Sequence, residues 1–124
     1  MARAVMEGIA FELRWAIEEI QGGSIAVDEL TMVGGAAESP LWPQIVADVT
    51  GLPVVVPAER QAAARGAAIL AGVGAGVFAD AAAGFAAFRG AETRLEPQVP
   101  VTRIYNAAYA HYRARFAAVR ETYS

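Results

Sequence analysis

LTMVGGAAESPLWPQIVADVTG, from Leu30 to Gly51, reads as a strand, a glycine turn and a helix in succession. Leu30, Thr31, Met32 and Val33 form a short apolar run of the kind expected of a strand covered on both faces. Gly34-Gly35 interrupts it, and a helix start is written at Ser39-Pro40. Ser39 is placed to cap the free N–H groups of the first turn, and Pro40 suits a first helical position, where its missing N–H would have had no partner. Without side chains at Gly34 and Gly35, a ligand or a second backbone can approach closely, and amide dipoles at a helix start favour a polar or anionic group. A tight strand-to-helix connection fits the same residues, and Gly-Gly alone does not separate the two readings.

Outward from this unit, Gly51 is placed to end the helix in a left-handed conformation, and Pro53 stops its continuation. Val54-Val55-Val56 then reads as a second buried strand closed by Pro57, giving a βαβ-like unit. Pro43 falls at about the fourth position of a helix counted from Pro40, where it would remove the first internal hydrogen bond and distort the opening turn. On the N-terminal side, Val5, Ile9, Leu13, Ile17 and Ile20 recur at steps of three and four, predicting a helix from Arg3 to Gln21 with these residues on one face and Glu12, Glu18 and Glu19 largely off it. Its pattern starts without a cap, as in a cut through a larger domain. On the C-terminal side, Glu59 to Ala75 reads as a helix with small residues Ala63, Ala67 and Ala71 four apart. Asp80 to Phe88 reads as a short helix, and Arg89 to Pro100 as an extended connection. A last helix from Val101 carries the stripe Val101, Tyr105, Tyr109, Tyr112, Phe116, Val119 and Tyr123, the spacing of an aromatic core face. His111 sits beside that stripe and receives no functional role.

Composition narrows the function classes. At 124 residues the chain is one domain or part of one, and its apolar fraction of 56% contains much alanine. The net charge is −3 and all ten basic residues are scattered arginines, which argues against nucleic-acid binding. There is no cysteine, hence no disulfide, thiolate nucleophile or Cys-ligated metal, and a cytoplasmic location is the expectation. No lysine is present, which removes P-loop lysine and Schiff-base chemistry, and one histidine cannot supply a His-His metal site. The N-terminus carries Glu7 and Glu12 inside its apolar pattern, unlike a signal peptide, and the least polar window, Gly66 to Phe88, is broken by Asp80 and glycines, unlike a membrane span.

The run Gly34-Gly35-Ala36-Ala37-Glu38-Ser39-Pro40-Leu41-Trp42, with Gln44, Ala47-Asp48 and Gly51-Leu52-Pro53-Val54, resembles the C-terminal domain of FGGY carbohydrate kinases, xylulokinases above all. In that family the segment reads Gly-Gly-Gly-Ala, a variable residue, then Ser-Pro-Leu-Trp. Arg3 to Arg14 is similar to the family's helix before this strand, and Ala62 to Phe78 to its Ala/Gly-rich helix after it. The resemblance implies an α/β fold, part of a C-terminal ribonuclease H-like (actin-like ATPase) domain, with residues 1–124 as an incomplete portion. It also implies an ATP-dependent phosphotransfer to a sugar hydroxyl, D-xylulose first, with Mg2+ in the complete enzyme. The adenosine-side residues it implies are Gly34, Gly35, Ala36, Ala37 and Ser39. The implied partners are the rest of the kinase chain and a sugar held by the N-terminal domain that this chain lacks.

Three positions depart from the pattern. Ala36 stands for the third glycine, Pro43 for a residue that is usually basic, and Gln61 for a usual glutamate. A Cβ at Ala36 either narrows the approach or sits in an ordinary backbone conformation. No catalytic or metal-binding residue is assigned, Gln61 and Asp48 included, and the chain alone is expected not to phosphorylate a sugar. The competing reading is a non-catalytic interaction domain in which Gly34-Gly35 is only a turn and the small-residue helix packs on a partner subunit, a homodimer being its simplest form.

Overall fold

The computed structural model describes residues 1–58, 61–88 and 90–122, with side chains to position 120. Glu59, Arg89 and Tyr123, each an end point of a feature expected from the sequence, lie outside the described residues. The elements in chain order are α1 (Ala2–Gly22), β1 (Leu30–Thr31), a 3-10 turn (Gly35–Glu38), α2 (Trp42–Thr50), β2 (Val54–Pro57), α3 (Ala62–Gly74), α4 (Ala81–Ala87), β3 (Glu92–Leu95) and α5 (Val99–Thr122).

β2 is the middle strand of a sheet ordered β1-β2-β3, parallel to β1 (Leu30 opposite Val54) and antiparallel to β3 (Val54 opposite Leu95). Three consecutive β-branched valines suit that central position, and all three are buried. β3 corrects the expected extended connection. Its residues Glu92-Thr93-Arg94-Leu95 are mostly exposed, so the apolar signal that marks a buried strand is missing, and pairing with β2 along one edge holds it in place. β1 is shorter than expected and not covered on both faces. Thr31 and Val33 are exposed, Thr31 lining a hollow bounded by Arg65 and Phe85 and Val33 lining a second one beside the start of α3.

α2 lies at the centre, against the sheet and against α1 and α5. Ile45, Val46, Ala47 and Val49 are at most 1% exposed. Gly51 ends α2 at φ 72°, its N–H donating to the Ala47 carbonyl at 2.9 Å, as the sequence requires. Asp48, also buried, accepts from Gln44 Nε2 at 3.0 Å and from the Gln98 N–H at 2.7 Å. It thereby ties α2 to the residue before α5.

α1 packs through a different face from the one its periodicity announces. Of the expected five residues only Ile17 is buried, while Val5 (64% exposed), Ile9, Leu13 and Ile20 form a bare apolar stripe. The packed face uses Ala10 and Phe11 with Glu7, Arg14 and Glu18, polar residues that a hydrophobicity pattern discounts. They form a clamp with the aromatic stripe of α5. The Tyr105 hydroxyl donates to Glu7 at 2.8 Å, the Tyr109 hydroxyl donates to Glu18 at 2.7 Å, and the Tyr112 hydroxyl donates to Glu12. Phe11 sits among the three tyrosine rings at 6.1, 5.7 and 5.4 Å. Burial raises the Tyr105 and Tyr109 hydroxyls above their ordinary value, and the Glu12 hydrogen bond is the main cause raising Tyr112 to about 12. Farther along the stripe, Phe116 and Val119 are exposed, although Phe116 still meets Trp15 edge to face at 5.0 Å.

α3 and α4 form a separate pair around Ile69 and Phe78. A side chain at Gly84 would lie 2.7 Å from Ile69 Cγ2, and one at Gly72 would lie 2.6 Å from the Phe78 ring. Asp80 caps α4 by accepting from the Ala83 N–H at 2.7 Å.

Candidate functional site

The parallel ladder ends with the Met32 N–H donating to the Val55 carbonyl at 2.8 Å, and the chain turns at Gly34. Gly34 has φ 81° and ψ −171°, a region essentially reserved for glycine. Gly35 has no such constraint, and a Cβ there would meet nothing within 4 Å. The two glycines therefore do different jobs, the first bending the backbone and the second leaving space.

The 3-10 turn that follows is closed by the Ala37 N–H donating to the Gly34 carbonyl at 3.0 Å and the Ser39 N–H donating to the Ala36 carbonyl at 3.3 Å. Ala37 is buried in the core and anchors the turn. Ala36 is exposed, in the ordinary backbone of the 3-10 turn. The Ser39 hydroxyl oxygen accepts from the N–H groups of Leu41 and Trp42 at 3.3 and 3.2 Å, the capping role its position announces. Regular α-helix begins two residues later than expected, at Trp42, which makes Pro43 a first-turn residue. Its missing N–H costs nothing there, and the first internal bond runs from the Ile45 N–H to the Leu41 carbonyl at 3.1 Å. The anticipated distortion is absent.

Across from the turn stands the start of α3. Val33, Gly34, Gly35 and Glu38 on one side and Gln61, Ala62, Ala63 and Ala64 on the other line an open hollow of about 590 Å³, within the range of small-molecule sites. Of the five residues singled out by the sequence, Gly34 and Gly35 line it. Ala36 lies in the same turn facing outward, Ala37 supports the turn from the core, and Ser39 fixes the entry to α2. Val33, Glu38 and the whole α3 wall were not among them. Gln61 was noticed only as a departure from a pattern, and no local signal shows that α3, more than twenty residues on, returns to face the turn. Among the described residues no group of three His, Asp or Glu side chains is placed to hold a metal ion. Nor is any helix of the described residues long and apolar enough to cross a membrane.

A strand–turn–helix unit facing the start of another helix across an open hollow has the layout of α/β folds in which ligands sit beyond the carboxyl end of a strand. Residues 1–75 match the model of the FGGY family of carbohydrate kinases, C-terminal domain. The chain is 42% identical over 112 residues to a ribulokinase of Mycolicibacterium smegmatis, covering 89% of this chain and 20% of that protein. It is 44% identical over 100 residues to a glycerol kinase of Citrifermentans bemidjiense, covering 80% and 20%. Among solved structures, it superimposes on a Brucella ovis protein described as a xyloylose kinase with a TM-score of 0.82 at 28% identity, covering 98% of this chain and 25% of that one. A ligand-bound xylulose kinase from Lactobacillus acidophilus gives 0.78 at 27%, covering 100% and 26%. The chain belongs to the FGGY family of carbohydrate kinases, within its C-terminal domain, and has the corresponding part of the actin-like ATPase fold. It spans about a fifth of the length of the curated relatives it matches.

Proposed function

We propose that this chain is the adenosine-side part of a kinase that moves the γ-phosphoryl group of ATP to a sugar hydroxyl, with D-xylulose as the first substrate to test. The observation that carries the reading is the hollow between Gly34-Gly35 and Ala62–Ala64. Its walls are apolar and its volume suits a nucleoside. Gly34 and Gly35 would line the nucleoside's approach, with Ala36, Ala37 and Ser39 holding the turn in shape. ATP, when bound, supplies the transferable phosphoryl group, and this chain's residues position its nucleoside end while excluding water from it. Positioning of that kind is most of what a kinase does. Mg2+ would be held outside this chain's described residues. Xylulose is favoured by the likeness to xylulose kinase structures and by the Ser39-Pro40-Leu41-Trp42 run. The sequence relatives include a ribulokinase and a glycerol kinase, so ribulose and glycerol are the next substrates to test.

The rest of the kinase chain covers the bare α1 stripe, Val5, Ile9, Leu13 and Ile20, in this reading. That stripe equally favours an interaction domain, and one experiment separates the two. Amide hydrogen exchange of the chain is followed with and without ADP. Slowed exchange across Gly34 to Ser39 supports the kinase reading, whereas concentration-dependent dimerisation with no response to nucleotide supports the interaction reading. Sugar-dependent ATP turnover by the purified chain at a rate near that of an intact family member would overturn the assignment of a half-site.

A further inference from the structure

We propose that Glu38 is the residue that orients the nucleoside in this hollow, its carboxylate accepting a hydrogen bond from a neutral donor, either a ribose hydroxyl or the amino group of the base. The proposal rests on the adenosine-side reading above and adds the group that gives the hollow direction. Val33, the two glycines and Ala62 to Ala64 offer only apolar surface and backbone, which binds a flat ring without fixing its rotation. Two polar side chains, Glu38 and Gln61, line the space. Glu38 has no hydrogen-bond or ion-pair partner among the described residues. The other acids around the core are engaged, Glu7, Glu12 and Glu18 by tyrosines and Asp48 by Gln44 and Gln98. The Ser39 hydroxyl, next along the chain, already accepts the Leu41 and Trp42 N–H groups.

The charge of Glu38 decides which end of a nucleotide it can meet. An ionised carboxylate only accepts hydrogen bonds, so it pairs with the hydroxyls of a ribose or an exocyclic amine. It repels phosphate oxygens, which would therefore lie toward the far side of the hollow. The backbone holds the group in place, because Glu38 closes a 3-10 turn anchored by buried Ala37 and fixed at its start by the Gly34 conformation.

The test is calorimetric titration of the 124-residue chain with ADP, 2′-deoxy-ADP, 3′-deoxy-ADP and IDP, in the wild type and in Glu38→Ala. Hydrogen bonds to a charged acceptor are worth enough that Glu38→Ala should weaken ADP binding about tenfold or more. The same variant should erase the wild type's preference for ADP over one of the three analogues, the deoxy forms identifying a ribose hydroxyl and IDP the amine. Unchanged melting of Glu38→Ala, expected for an exposed side chain, separates lost contact from lost fold. If the wild type binds ADP and Glu38→Ala binds it equally well with the same preferences, the role of Glu38 is refuted and the adenosine-side reading stands. If the wild type shows no ADP binding at all, both fall together.

Discussion

Replacing Gly34 and Gly35 by alanine, one at a time, should have opposite effects on stability although the residues are adjacent and identical. At Gly34 the backbone sits at φ 81° and ψ −171°, where a Cβ collides with its own chain whatever the surroundings. Open space around the position gives no relief, because the strain is internal. Holding a non-glycine residue there costs about 1–3 kcal/mol. At Gly35 the backbone is ordinary, in a 3-10 turn, and a methyl group would meet nothing within 4 Å. Alanine there should be neutral or stabilise by about 0.4–1 kcal/mol, through the lost freedom of the unfolded chain. Urea unfolding followed by far-UV circular dichroism measures both. With a slope of roughly 1–3 kcal/mol per molar, a 2 kcal/mol loss moves the midpoint down by about 1 M, well outside error, while Gly35→Ala leaves it in place or raises it. Equal midpoints for the two variants, or a lower one for Gly35→Ala, would falsify the division of labour between bend and space. The larger Gly35→Val then becomes an informative probe, expected to keep the fold while filling the hollow and abolishing nucleotide binding.

Other outcomes follow from the same contacts. Ser39→Ala removes the acceptor for the Leu41 and Trp42 N–H groups and should cost about 1 kcal/mol in thermal or denaturant melts; no change would mean that solvent caps α2 as well as the serine does. Phe11→Ala empties the space among Tyr105, Tyr109 and Tyr112 and should cost about 3–5 kcal/mol, and a loss below 1 would show that α1 and α5 close over the gap. Tyr112 is held protonated by Glu12, its folded value raised from 10.0 to about 12, so its contribution is complete below pH 10 and is lost as the pH climbs toward 12. Unfolding midpoints between pH 9 and 12 should thus fall less steeply in Tyr112→Phe than in the wild type, and parallel curves would remove Tyr112 from the alkaline transition.

Local chemistry in the sequence carried the site as far as local chemistry can reach. Ser39 before Pro40, Gly51 before Pro53 and the valine run of β2 each state a backbone or burial requirement within a few residues, and the structure satisfies each one. The exposed strand β3 and the start of α2 differ from the sequence expectation for physical reasons. A strand held by hydrogen bonds along one edge needs no apolar signature, and Pro43 fits either a fourth helical position or a second, depending on where the cap hands over to the helix. The second wall of the hollow, Ala62 to Ala64, is not legible from local chemistry, since it is brought opposite Gly34 by the path of β2; only the resemblance of Ala62 to Phe78 to the family's following helix points to it.

The two faces of α1 show why periodicity finds the helix without naming the surface that packs within this chain. Val5, Ile9, Leu13 and Ile20 give the stronger hydrophobic signal, yet they are exposed, while the face that packs depends on Phe11 together with carboxylates and an arginine. Those polar residues are stable there because α5 presents hydroxyls at matching height: Glu7 to Tyr105, Glu12 to Tyr112, Glu18 to Tyr109. Arg14 completes the join by donating to the Val49 carbonyl near the end of α2, at 3.1 Å, and to Asn106 Oδ1 at 2.7 Å. A helix end carbonyl satisfied in this way fixes α2 from its C-terminal side, as Ser39 fixes it from the N-terminal side. The glycine turn is thus mounted on a helix held at both ends. Hydrogen-bonded side chains from α1 and α5 contribute to that rigidity, while the purely apolar face of α1 is left over for a further surface.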